Sequence, residues 1–209
     1  TLDPDATGVL VLGVGRATRL LRFITVLPKS YTARIVLGTE TSTLDASGEI
    51  TVVHDMSLIG ADDVRRAAAS LVGELQQIPP MVSAVRVGGR RLHEIAREGG
   101  EVDRVPRPVT VYHFEVAATA DSAVYEASVS CSSGTYVRAL AADLGTALGG
   151  GAHLRDLRRV AVGSFTVDEA RPVDGLQLLP AAVGLRDLPG VIVDEATAVD
   201  VSHGKVLDR

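Results

Sequence analysis

The sequence predicts an α+β fold: a mixed, mainly antiparallel sheet flanked by helices. Three observations carry this. Residues 31–37 alternate, with Tyr31, Ala33, Ile35 and Leu37 on one side and Thr32 and Arg34 on the other, the period of a half-buried strand. Two more strand-like runs, 109–117 and 124–131, are joined by Thr119-Ala120-Asp121-Ser122, a turn composition that suits an antiparallel pair. Segments 62–75 and 137–148 instead have helical spacing; in the second, Val137, Leu140, Ala141, Leu144 and Leu148 form one apolar stripe.

Taken in order, the chain opens on a polar, turn-prone stretch, Thr1-Leu2-Asp3-Pro4-Asp5-Ala6-Thr7-Gly8. The apolar run Val9-Leu10-Val11-Leu12 follows and reads as a buried strand. Pro4 fixes its own backbone and pushes Asp3 towards an extended conformation. Gly8 permits a turn that a side chain would obstruct. Asp3 is thereby placed at the lip of a sheet on a stiff loop, where a positioned carboxylate can do chemistry. The same Asp-Pro-Asp is an ordinary turn sequence whose aspartates bond nearby backbone, and residue spacing leaves both open.

Residues 17–27 read as a helix with Leu20, Leu21 and Ile24 on one face. Gly13 to Thr18 superficially resembles a dinucleotide-binding loop but lacks the third glycine and a suitable acidic residue beyond it. Residues 41–48 form a polar turn. Asp62 and Asp63 sit favourably at the positive end of the 62–75 helix, which stops before Ile78-Pro79-Pro80-Met81. Residues 82–99 read as a strand, a turn at Gly88-Gly89, and a short basic helix.

After the second hairpin strand, a serine- and glycine-rich turn opens the 137–148 helix, with Ser133 or Thr135 available as its cap and Gly149 to Gly151 ending it. Arg138 falls in the first turn, where the helix dipole disfavours a cation. A nearby carboxylate would resolve that conflict; so would extension into water. Near the end, 188–208 suggests a strand and then a helix over 194–203, with Gly204 as the stop.

A length of 209 residues suits one large domain, or a domain with a small appendage. A hydrophobic fraction of 46% and a charged fraction of 22% are those of a globular protein. No apolar stretch approaches membrane-spanning length and no signal peptide is visible. The single cysteine, Cys131, cannot form an internal disulfide, which with the preceding points predicts a cytoplasmic setting.

The net charge of −5 argues mildly against nucleic acid. Positive charge nevertheless clusters at Arg86, Arg90, Arg91 and Arg97, and again at Arg155, Arg158 and Arg159. Such clusters suit phosphate contacts, or are solvated surface. There is no zinc-type Cys/His spacing, strict phosphate loop or serine nucleophile elbow. Asp143 or Glu98 could pair with Asp3 as a glycosidase-like dyad, but nothing in the sequence fixes their separation. His93 and His153 have no legible role.

Four stretches speak more specifically. The first is Leu2-Asp3-Pro4-Asp5-Ala6-Thr7-Gly8-Val9-Leu10, followed by Gly15-Arg16-Ala17-Thr18. The second is Pro79-Pro80-Met81 through Ser83-Ala84, Gly88, Leu92, Ala96-Arg97 and Gly99. The third is Ser133-Gly134-Thr135-Tyr136-Val137-Arg138, continuing to Asp143-Leu144-Gly145. The fourth is Ala152-His153 with Leu157-Arg158-Arg159. Together they closely resemble the motifs of the TruB family of tRNA pseudouridine-55 synthases, as does the loop Thr41-Ser42-Thr43-Leu44-Asp45-Ala46-Ser47-Gly48.

The resemblance implies a pseudouridine-synthase fold and isomerisation of uridine-55 in the T-loop of tRNA, with no metal and no cofactor. Asp3 would act on a flipped-out uridine, by nucleophilic attack or by initiating loss of the glycosidic bond. Arg138 would pair with Asp3 and aim it, Tyr31 would stack on the uracil, and Tyr136 would line the pocket. Leu157 would pack against the base; without the family it reads as a core leucine. The expected partner is the T-stem-loop of tRNA, with no membrane, no obligatory protein partner and a monomeric state.

The resemblance also divides the chain into a catalytic domain, 1–185, and the start of a small PUA-like RNA-binding segment, 186–209. It implies an upstream strand and histidine before Thr1. Two other classes fit part of the pattern: a tRNA-folding chaperone without turnover, and a guide-RNA-dependent relative working within a multi-protein complex.

Overall fold

The computed structural model describes residues 2–100 and 102–206. Thr1, which opens the first motif, and the end of the 188–208 segment lie outside the described residues. In chain order the strands and helices are β1 (Thr7–Gly8), α1 (Leu21–Thr25), β2 (Lys29–Leu37), β3 (Thr39–Thr41), β4 (Ile50–Val53), α2 (Ala61–Ser70), β5 (Gly73–Gln77), β6 (Arg86–Val87), β7 (Arg90–Arg91), α3 (Leu92–Arg97), β8 (Arg107–Ala118), β9 (Val124–Cys131), α4 (Val137–Ala147), β10 (Ala152–Val162), β11 (Phe165–Thr166) and α5 (Glu195–Ser202).

A seven-stranded sheet runs β1-β10-β2-β9-β8-β5, with β11 also on β10. Every pairing in it is antiparallel except β1 with β10. The alternation of residues 31–37 is realised in β2, where Ala33, Ile35 and Leu37 are buried and Thr32 and Arg34 face away. Helices α2 and α4 cover the inward face, α2 against β8 and α4 against β10. Val64 and Ala68 of α2 and Leu140, Ala141 and Leu144 of α4 share one core with Ile35, Val111, Val129 and Leu154. The apolar stripe of α4 is what seats it there, and that seating carries Arg138 to the cleft described below.

Several sequence expectations shift. Only Thr7 and Gly8 pair as a strand; Val9 is buried, but Leu10 and Leu12 are 50% and 61% exposed. Gly8 causes the break: its φ of +101° turns the chain away, and a Cβ there would lie 2.1 Å from the Arg159 carbonyl oxygen. The 17–27 helix is a 3₁₀ turn over Gly15–Leu20 followed by the short α1. The 62–75 helix ends at Ser70: Gly73 adopts a φ of +115° and begins β5, the edge strand, which pairs with β8.

Neither Ser133 nor Thr135 caps α4; Tyr136 is its N-cap and makes no side-chain cap bond. No strand forms over 188–193, and α5 buries none of its residues. In the basic stretch the turn and the helix α3 form where expected, but the strand shrinks to Arg86–Val87 and pairs with Arg90–Arg91 across the turn.

Candidate active site

The first motif loops over the sheet edge. Asp3 opens a tight turn, its carbonyl accepting from Ala6 N at 3.0 Å. The segment is then tied to β10 by a reciprocal pair: Val9 N donates to the Arg159 carbonyl and Arg159 Nε donates to the Val9 carbonyl, both at 2.8 Å. The Asp3 carboxylate is thereby held over the start of α4.

Arg138 meets it there. Its Nε lies 2.7 Å from Asp3 Oδ2. The Nε–H does not align with that oxygen, so the contact is an ion pair and not a well-directed hydrogen bond. The remaining guanidinium nitrogens reach two other loops: Nη1 donates to the Thr43 carbonyl at 2.8 Å and Nη2 to the Val82 carbonyl at 2.9 Å. Asp45 Oδ2 stands 3.5 Å from Nη1. One planar cation thus joins the Asp3 turn, the β3–β4 loop and the segment after β5. The Arg138 side chain is 5% exposed, while that of Asp3 is 38% exposed and open to the cleft. Two carboxylates answer the unfavourable placement of a cation at a helix N-terminus.

Asp45 is set by its own turn. Oδ1 accepts from Thr43 Oγ1 at 2.6 Å and from Ser47 N at 3.0 Å. Burial works against ionisation of this carboxyl, but the hydrogen bonds from Ser47 and Thr43, helped by Arg138, hold it below the usual carboxylate range. Apart from its resemblance to a family motif, the sequence shows only a polar turn here. The Thr-x-Asp-x-Ser spacing is the one signal that marks an aspartate fastened by its neighbours.

The cleft beside this cluster has a volume of about 390 Å³. Asp3, Arg138, Tyr31, Tyr136 and Leu157 all line it. Tyr31 enters from the start of β2, opposite Arg159 of β10. Burial foremost pushes its phenol up, and the Arg159 guanidinium opposes that shift. Leu157 stands at a register break in β10 between Arg155 and Arg158, next to Asp156 at a φ of +56°. The bulge turns Leu157 towards the cleft.

Tyr136 is fixed through its backbone: its N–H donates to Gln77 Oε1 at 2.7 Å and its carbonyl accepts from Gln77 Nε2 at 3.1 Å. Gln77 is buried at the end of β5, and no sequence motif singles it out. Lys29 also lines the cleft; its ammonium donates to the Thr25 and Leu27 carbonyls, and burial first, with Arg159 second, lowers its pKa.

Other candidates separate from this site. Neither Asp143 nor Glu98 lines the cleft, and Glu98 is paired with Arg90 at 2.6 Å. His93 and His153 pack inward, their Nδ1 atoms against the carbonyls of Ser83 and Thr39. Of the two arginine clusters, Arg86, Arg90, Arg91 and Arg97 are exposed, whereas Arg159 is buried. Among the described residues, no group of three or more His, Cys, Asp or Glu is placed to hold a metal ion.

Comparison with known proteins follows the same lines. The sequence model for the N-terminal domain of TruB family pseudouridylate synthases matches residues 1–137, and that for the C-terminal domain of tRNA pseudouridylate synthase B matches 138–187. The tRNA pseudouridine synthase B of Nocardia farcinica is 52% identical over 84% of the chain and 58% of its own length. The proteins of the same name from Rhodococcus jostii and an Arthrobacter species are 46% and 44% identical, over 100% and 98% of the chain and 72% and 70% of their own lengths. The chain therefore spans roughly three-fifths to three-quarters of these relatives. Among solved structures, a chain of a Cbf5–Nop10–Gar1 complex superposes with a TM-score of 0.70 at 26% identity, over 97% of this chain and 56% of that one.

Proposed function

The chain belongs to the TruB family of pseudouridylate synthases, and from that premise we propose that it converts uridine-55 in the T-loop of tRNA to pseudouridine, with Asp3 as the catalytic carboxylate. The observation that carries this is the Asp3–Arg138 ion pair of 2.7 Å on the wall of a cleft lined by Tyr31, Tyr136 and Leu157. A cavity of 390 Å³ is within the usual size of small-ligand sites, about 300–1,000 Å³. It suits a single nucleotide turned out of its stack.

A uridine inside folded RNA must leave its stack before a side chain can reach the glycosidic bond, at a cost of a few kcal/mol. Stacking on Tyr31 offsets much of that, at roughly 1–3 kcal/mol per base. Asp3, exposed to the cleft and aimed by Arg138, acts on the bound nucleotide. The C1′–N1 bond breaks, the uracil turns between Tyr31 and Leu157, and a C1′–C5 bond forms. The proton lost from C5 is balanced by one gained at N1, so the reaction is an isomerisation. The roles of Tyr136 and Leu157 are to confine the freed base. The exposed arginines of β6, β7 and α3 offer a surface for RNA phosphates.

The test is direct. The chain and an Asp3→Asn variant are incubated with an unmodified T-stem-loop RNA, and pseudouridine is assayed. Product from the first and none from the second supports the reading. Binding by both with product from neither favours an RNA chaperone, and product only on addition of a guide RNA favours a guided enzyme.

A further inference from the structure

Arg159 is unused by the mechanism above, and the structure gives it an unusual position. The sequence groups it with Arg155 and Arg158, a cluster suited to phosphate contacts or to plain solvation, yet it is 5% exposed. Its place in β10 is fixed from two sides, opposite Tyr31 of β2 and beside Gly8 of β1. Its backbone carbonyl and its Nε both engage Val9, at 2.8 Å each. Tyr31 stands directly across the β2–β10 ladder from it, both side chains line the cleft, and the guanidinium opposes the burial that pushes the Tyr31 phenol up. A buried guanidinium is costly unless its donors are used. Its rigid fork can serve two acceptors in one plane, which a lysine ammonium does not reproduce.

We propose that Arg159 is the positioning residue for Tyr31, tying the tyrosine ring to the Val9 carbonyl of the Asp3 segment so that the stacking surface and the carboxylate keep one fixed relation. The inference rests on the uridine-pocket reading of the cleft. Arg138 couples the Asp3 segment to α4; Arg159 couples it to β2. A base held between Tyr31 and Asp3 would then be presented at constant geometry while it turns. Displacement of reacting groups by an ångström costs a rate on the order of 100-fold.

The test compares Arg159→Met and Arg159→Lys with the unsubstituted chain. Phenol ionisation is followed by absorbance, with Tyr31→Phe identifying the Tyr31 component. Asp3, Lys29 and Cys131, the other ionisable groups around the cleft end of β2, are left intact. Single-turnover conversion and affinity are measured with an unmodified T-stem-loop RNA. In Arg159→Met, Tyr31 should ionise at higher pH, because burial persists while the opposing guanidinium is gone. The single-turnover rate should fall roughly 10–100-fold, with RNA affinity changed by less than about threefold. Arg159→Lys should recover part of the rate.

A Tyr31 titration superimposable on the original in both variants overturns the proposal, as does an unchanged rate. If Arg159→Met does not fold, Arg159→Lys decides by the same titration. The titration needs no RNA, so failure of the unsubstituted chain to convert RNA would count against the proposed function and leave the Arg159–Tyr31 tie to be judged separately.

Discussion

Arg138→Met gives the sharpest test of the site's construction. Methionine fills much of the arginine stem's volume, so the perturbation is loss of the cation and its donors more than a cavity. What is lost is specific: two carbonyl bonds of 2.8 and 2.9 Å and contacts of 2.7 and 3.5 Å to Asp3 and Asp45. Removing one partner of a buried ion pair costs about 3–5 kcal/mol. The Asp3 and Asp45 side chains are 38% and 22% exposed, so water recovers part of that, and the lower end, about 3 kcal/mol, is expected. For a chain of this size, that lowers the thermal midpoint by roughly 6–12 °C. Urea unfolding of Arg138→Met, Asp3→Asn and the double variant should give a coupling energy of about 1–2 kcal/mol between the two positions. A coupling below about 0.5 kcal/mol would mean that the two groups act independently, and the account of a cation-clamped carboxylate would be wrong.

Other consequences are equally concrete. Asp45 has a lowered pKa, so its stabilising contribution is complete above the ordinary carboxylate range near pH 4 and is lost as pH falls through the lowered value; Asp45→Asn should flatten that acid limb of stability, measured by urea midpoints against pH. Gly8→Ala must displace the Arg159 carbonyl or unwind a φ of +101°, and should cost roughly 1–3 kcal/mol in unfolding free energy. It should also slow single-turnover conversion, since Asp3 hangs from the same segment. Burial pushes the Cys131 thiol up to about 11, so its alkylation at pH 8 should be on the order of 100-fold slower in the folded chain than in urea, as read by mass spectrometry.

Much of this was legible because local chemistry and tertiary role coincide. The alternation of β2 and the stripe of α4 are written in residue periodicity, and both elements form where the pattern lies. Two of the boundaries that moved did so at glycines whose φ values depend on what pairs next, Gly8 against β10 and Gly73 at the start of the edge strand β5. Asp3 and Arg138 stand out by their motifs, and the structure brings them together. Gln77 does not stand out, and Asp45 is marked only by the loop motif it belongs to and not by a role, because their partners, the Tyr136 backbone and the Arg138 guanidinium, lie far away in sequence.

The sequence by itself determined which segments could bury a face, and which family's motifs the chain carries. Only the tertiary structure decided that Arg138 serves three loops at once, and that Arg159 lies inside the molecule instead of on an RNA-facing surface. The physical reason is that periodicity reports a residue's own backbone. The partners of a buried charge are fixed only when strands and loops from distant parts of the chain close around it.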